Sequence, residues 1–219
     1  MTAECPTRKT ASGGPASSGL VSQHTNRKTT VLPGLVCLLA IVVVYVLAVR
    51  TLLGQTVDTA AMTATANLLA ETQWTQTLLD LVSPLSVVLG ALAIAAVGYF
   101  SHGSATAAKT VGAITVTVGS AQLLKAVLTR PDLLDAMANS LPSGHVAGVA
   151  GLAVGATLAV PAVLRSTAAV AGGIVVTLTA VATMAQQWHR PSDVFSATLL
   201  AAAVALFLGS SSSRSRATG

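Results

Sequence analysis

The chain has 219 residues, of which 53% are hydrophobic, 9% charged and 3% aromatic, against roughly a quarter charged in an average soluble domain. This excludes an ordinary soluble domain, and because each bilayer helix uses about 20 apolar residues, several spans leave little polypeptide for a soluble domain, so one compact membrane domain is expected. The formal charge of +5 comes without a basic patch interleaved with aromatics, so no nucleic-acid partner is expected and the cations are read as membrane-orienting residues.

Residues 1–30 are rich in Ser, Thr and Gly, carry Arg8, Lys9, Arg27 and Lys28 and lack an apolar run, so a disordered tail is expected. Val31 to Val49 is too long for a signal-peptide core and is followed by no clear small-residue cleavage site, which makes it a retained first span. Arg50 to Thr77 is more polar and is expected to hold one short amphipathic helix at the membrane surface. In that stretch and just after it, Arg50, Asp58, Glu71 and Asp80 are read as parts of a solvated loop.

Spans two and three are expected at Leu78 to Phe100 and about Ala105 to Leu124. A loop from Lys125 to Ser143, marked by Arg130-Pro131 and Pro142-Ser143-Gly144, leads into span four at about His145 to Leu164. Span five is expected at about Thr167 to Gln187 and span six at about Val194 to Gly209, with residues 210–219 as a second tail. The fold class expected is therefore all-α: a polytopic six-transmembrane-helix bundle over residues 31–209, with a short interfacial helix between spans one and two. Cys5 falls in the tail and Cys37 in the first span, so neither a disulfide nor a metal pair is suggested.

Six spans place both termini on one side. Of the 12 Lys and Arg residues, eight then share the tail side: Arg8, Lys9, Arg27, Lys28, Lys109, Arg165, Arg214 and Arg216. The positive-inside rule makes that side cytoplasmic, in the plasma membrane of a cell, and sends Arg50, Lys125, Arg130 and Arg190 to the extracytoplasmic face.

The same topology gathers chemistry on that outer face. Ser143 and Gly144 precede a long helix, whose N-terminal N–H groups and dipole favour an anion. Lys125 supplies a point charge and Arg130 a guanidinium suited to two phosphate oxygens. His189 and Asp193 are four apart at a helix start, so the carboxylate can orient one imidazole nitrogen and leave the other free to attack phosphorus. His145, with an unperturbed pKa of about 6.5, suits the protonation of a departing alcohol. This inventory needs neither a metal nor a cofactor. Taken singly, each residue has an ordinary reading: a helix cap for Ser143, an interface lysine for Lys125, a headgroup contact for Arg130 and an anchor for Trp188. Their arrival in order at the ends of three spans favours catalysis.

These residues resemble the type 2 phosphatidic acid phosphatase family, membrane relatives of acid phosphatases and vanadium haloperoxidases. The likeness covers about Ala121 to Phe195 and rests on Lys125 with Arg130-Pro131, on Pro142-Ser143-Gly144-His145, and on His189 followed by Asp193. It implies His189 as nucleophile, Asp193 as its orienter and His145 as general acid, with Lys125, Arg130, Ser143 and Gly144 holding phosphate. The family's lysine-to-arginine spacing is longer than the one here, which sets Asp132 where that arginine is expected, and its Ser-Arg pair ahead of the nucleophile is Ala182-Thr183 in this chain. Arg190 is the candidate replacement for the missing cation. The resemblance implies hydrolysis of a lipid phosphate or diphosphate such as phosphatidic acid, phosphatidylglycerol phosphate or a polyprenyl phosphate, with the bilayer as its setting. The alternative is a non-catalytic lipid-phosphate binder or transporter that kept the anion site. Oligomeric state is not legible.

Overall fold

The computed structural model describes residues 18–69, 72–134 and 139–211. Residues 1–17 and 212–219, most of the two expected tails, lie outside the described residues, as do Glu71 and Asp135. Among the described residues the chain forms eight α-helices and no strand. They are α1 (Ser18–Val44), α2 (Leu52–Leu69), α3 (Gln73–Leu81), α4 (Pro84–His102), α5 (Ser104–Val127), α6 (Gly144–Ala159), α7 (Arg165–Ala185) and α8 (Pro191–Ser211). A π-helical turn, Tyr45–Val49, continues α1.

Among the described residues, five helical segments are long and apolar enough to cross a membrane: Val31–Val49, Pro84–His102, Ser104–Val127, Ala162–Ala185 and Pro191–Gly209. The fourth expected span falls short. It ends at Ala159, not near Leu164, and α6 has 16 residues, a length of roughly 24 Å at 1.5 Å per residue. Pro161 explains the stop, because the residue before a proline is driven out of the helical region, and Val160 has ψ 156°. What α6 lacks in length it makes up in burial. It packs against α4, α5, α7 and α8 and buries Val146, Ala147, Gly148, Val149, Ala150, Gly151, Gly155 and Ala159. The small side chains let neighbouring helices approach closely, as membrane packing requires.

The segment between spans one and two differs from the expectation. In place of one short amphipathic helix there are two, and α2 alone has 18 residues. Span two accordingly begins at Pro84 and not at Leu78, which belongs to α3. Hydropathy runs smoothly through Leu81-Val82, but Ser83 caps the new helix through a reciprocal pair with Ser86, and Pro84 takes the first helical position. Both α2 and α3 lie on α7, while α1 lies along α8.

The α6–α7 contact is close enough to make a sharp prediction. A Cβ added to Gly172 would sit 2.6 Å from the Cβ of Ala153, whereas one added to the adjacent Gly173 would meet nothing within 4 Å. Gly172→Ala is expected to cost about 1–3 kcal/mol through overpacking, and Gly173→Ala to be neutral or slightly stabilising. Thermal unfolding in detergent micelles reads the difference; equal melting temperatures would contradict this packing.

Candidate active site

The polypeptide between α5 and α6 is held by side chains before any site residue is considered. The Asn139 amide donates to the carbonyls of Lys125 (3.2 Å) and Leu128 (2.6 Å), satisfying acceptors that the end of α5 leaves open. The Tyr45 hydroxyl donates to the Thr129 carbonyl at 2.7 Å, and the Gln55 amide donates to those of Val49 (2.8 Å) and Pro131 (2.7 Å). The loop that carries Arg130 is thereby tied to α1, α2 and α5.

At the start of α6, Ser143 is the N-cap. Its hydroxyl accepts from the Val146 N–H at 3.3 Å, and its own N–H donates to the Asp193 carbonyl at 3.0 Å. The first-turn N–H groups of Gly144 and His145 are given no acceptor by the described residues, and both residues line a cavity of about 430 Å³. Just after α7, Gln187 adopts the left-handed region (φ 57°). The Thr183 carbonyl then accepts from Trp188 (2.9 Å) and His189 (3.3 Å), and this turn returns the chain toward α6.

Two helix starts therefore deliver two imidazoles to one place. The ring centroids of His145 and His189 are 6.0 Å apart, and that of Trp188 lies 5.4 Å from His145. Lys125, Gly144, His145 and His189 line the same cavity, together with Gln122 and an apolar wall from Val82, Pro84, Val87 and Val88. A cation, helix-terminal N–H groups, two proton-transfer groups and a hydrocarbon surface are the components for handling a phosphate attached to an apolar tail.

Behind His189 lies a buried charged cluster. Asp193 is fully buried, and its Oδ2 lies 3.6 Å from His189 Nδ1, accepts from the Arg190 N–H at 2.9 Å and accepts from the Ser140 hydroxyl. Its Oδ1 accepts from Arg130 Nη2 at 3.3 Å. The same Nη2 donates to Ser192 Oγ at 3.3 Å and lies 3.7 Å from Asp58 Oδ2. Asp58 Oδ1 accepts from the Ser192 N–H at 2.9 Å, and its Oδ2 accepts from the Ser192 hydroxyl at 2.6 Å. Burial pushes the Asp58 carboxyl above its ordinary pKa, against the lowering effect of both bonds from Ser192.

The sequence-selected residues thus fall into two sets. Lys125, Gly144, His145 and His189 meet at the cavity, while Asp193, Arg130, Ser143 and Arg190 do not line it. Arg190 is buried and its Nε donates to Thr59 Oγ1 at 3.3 Å on α2. Thr183, where the missing arginine was expected, is fully buried and donates to the Ala180 carbonyl at 2.8 Å. Asp58, read from sequence as part of a solvated loop, is 5% exposed and part of the cluster. Ser140, Ser192 and Gln122 were likewise not singled out. The one sequence signal that bears on Asp58 is its place as an isolated charge in the Ala- and Thr-rich stretch 52–69.

The family model of the PAP2 superfamily matches residues 88–216, more than half of the chain. Among solved structures, the chain is similar to a crystal structure described as the first transmembrane PAP2 type phosphatidylglycerolphosphate phosphatase from Bacillus subtilis. The TM-score is 0.66 and the identity 19%, covering 84% of this chain and 96% of that one. At that identity the likeness is one of fold. No curated protein matches the chain.

The cluster predicts that Arg130 matters to stability. Its side chain is 3% exposed between two buried carboxylates, and removing one member of a buried ion pair typically costs about 3–5 kcal/mol. Arg130→Met is expected to lower the melting temperature of the purified protein markedly. Unchanged melting would mean that the carboxylates do not depend on this guanidinium.

Proposed function

The chain belongs to the PAP2 superfamily, and on that premise we propose that it hydrolyses a membrane lipid phosphate or diphosphate through a phosphohistidine at His189. The observation that carries this reading is the shared cavity: Lys125, Gly144, His145 and His189 border it, and apolar side chains of α4 form its opposite wall. Phosphatidic acid, phosphatidylglycerol phosphate and polyprenyl phosphates or diphosphates all combine such a headgroup with such a tail.

In the proposed reaction Lys125 and the first-turn N–H groups of α6 hold phosphate oxygens. His189 attacks phosphorus through the nitrogen turned away from Asp193, whose carboxylate stabilises the resulting cationic ring. In-line attack puts the departing oxygen roughly 5 Å from the attacking nitrogen. With centroids 6.0 Å apart, His145 reaches that oxygen from the side, protonates it, and afterwards takes a proton from the water that releases phosphate. Arg130 and Arg190 add positive charge from behind Asp193. With Thr183 in place of the family's arginine, one preorganised donor is absent, and deletions of that kind cost on the order of 10² to 10³ in rate, so turnover is expected to be slow. We further propose the six-span layout with α6 as the short fourth span, cytoplasmic termini and an extracytoplasmic site in the plasma membrane, supported by the distribution of Lys and Arg.

Phosphate release by the purified full chain, from a panel of these lipids in mixed micelles containing chelator, tests the reading. Release is expected from at least one lipid, with none detectable for His189→Ala and about 10²- to 10⁴-fold less for His145→Ala. Tight binding of lipid phosphate without release would instead favour a binder or transporter. Full activity in His189→Ala, or loss of activity with chelator, would overturn the mechanism.

A further inference from the structure

The buried carboxylate of Asp58 stands outside every motif discussed above and outside the matched residues 88–216. It belongs to α2, a helix that contributes nothing to the cavity lined by the two histidines. We propose that Asp58 is a positioning residue of the active site: it holds the first turn of α8 and Arg130, and through them the place of Asp193 beside His189.

Three contacts carry this assignment. The Ser192 N–H is one of the first-turn donors that α8 cannot satisfy internally, and Asp58 Oδ1 accepts it at 2.9 Å. The chain thus caps a helix with a carboxylate 134 residues away, where the helix dipole also favours negative charge. The Ser192 hydroxyl, donating to Asp58 Oδ2 at 2.6 Å, presents its oxygen to Arg130 Nη2. Finally, Arg130 Nη2 lies 3.7 Å from Asp58 Oδ2 and 3.3 Å from Asp193 Oδ1. The guanidinium is therefore shared between two carboxylates.

That sharing matters for His189. Were Arg130 paired with Asp193 alone, it would draw charge from the carboxylate that must stabilise an imidazolium, and the nucleophile would be weaker. A helix that only needed to dock on α7 and α8 would not require an ion here, because burying a carboxylate is costly unless it is paired. Both facts place the function of Asp58 in its charge as well as in its hydrogen bonds.

The inference rests on the phosphatase reading, and the experiment separates the two. Asp58→Asn keeps an acceptor for the Ser192 N–H and a polar partner for its hydroxyl, but removes the charge; Asp58→Ala removes all three. Asp58→Asn is expected to melt between Asp58→Ala and wild type and, in steady-state phosphate release, to lose about tenfold in kcat with KM within twofold. Asp58→Ala is expected to lose more in kcat and to melt lower. Wild-type kcat in Asp58→Asn, or a raised KM at unchanged kcat, would overturn the positioning role and leave the phosphatase reading intact. No release by the wild type would overturn both.

Discussion

The carboxylate of Asp193 is the point on which the structure converges. A fully buried charge in a chain this apolar is tolerated only when it is paired and hydrogen-bonded, and Asp193 meets that condition through residues both near and far along the chain. Ser140 reaches it from the loop after α5, Arg130 from the same loop, Arg190 through its own N–H, and His189 from one turn earlier. Its main-chain carbonyl accepts the N–H of Ser143, the cap of α6. The carboxylate and carbonyl of this one residue together fix the mutual placement of α6 and α8. That placement in turn brings His145 and His189 to a common cavity.

The helices around this point divide the work. α6 is short, central and built of small residues, so it sets the spacing of the bundle while its N-terminus faces the cavity. α4 provides hydrocarbon surface to the same cavity and α5 provides Lys125. α7 ends in a left-handed turn at Gln187 that delivers His189, and the first turn of α8 carries the Asp193 carboxylate 3.6 Å from its Nδ1. α2 contributes Asp58 and Gln55, which secure the start of α8 and the Arg130 loop. The cavity and the charges behind it thus adjoin one another, with the two histidines at the front and the paired carboxylates and guanidinium at the back.

How much of this was readable in the sequence depended on distance along the chain. His189 and Asp193 are one helical turn apart, and Ser143, Gly144 and His145 are consecutive, so local spacing alone was enough to place them at helix starts. Four of the expected spans fell close to their observed positions because hydropathy marks long apolar helices well. The ends of spans four and two were misplaced where proline and capping override hydropathy: at Val160-Pro161 and at Ser83-Pro84. Asp58 was unreadable for a different reason. Its partners lie far along the chain, and its one local sign, an isolated charge among Ala and Thr, does not by itself separate a buried acid from an exposed one. The burial of Arg190 beside Thr59 was hidden in the same way, since only tertiary packing decides which way a guanidinium at a helix start turns.

The claim at the centre of this account is that His189 becomes covalently phosphorylated while His145 serves the departing oxygen. Acid-labile, base-stable label on the protein, trapped by rapid quenching during turnover of a radiolabelled lipid phosphate and mapped by mass spectrometry, tests it most directly. The account predicts label on His189 alone, absent when Asn or Ala replaces that residue. Turnover without any phosphoenzyme, or label on His145 or another side chain, would contradict it.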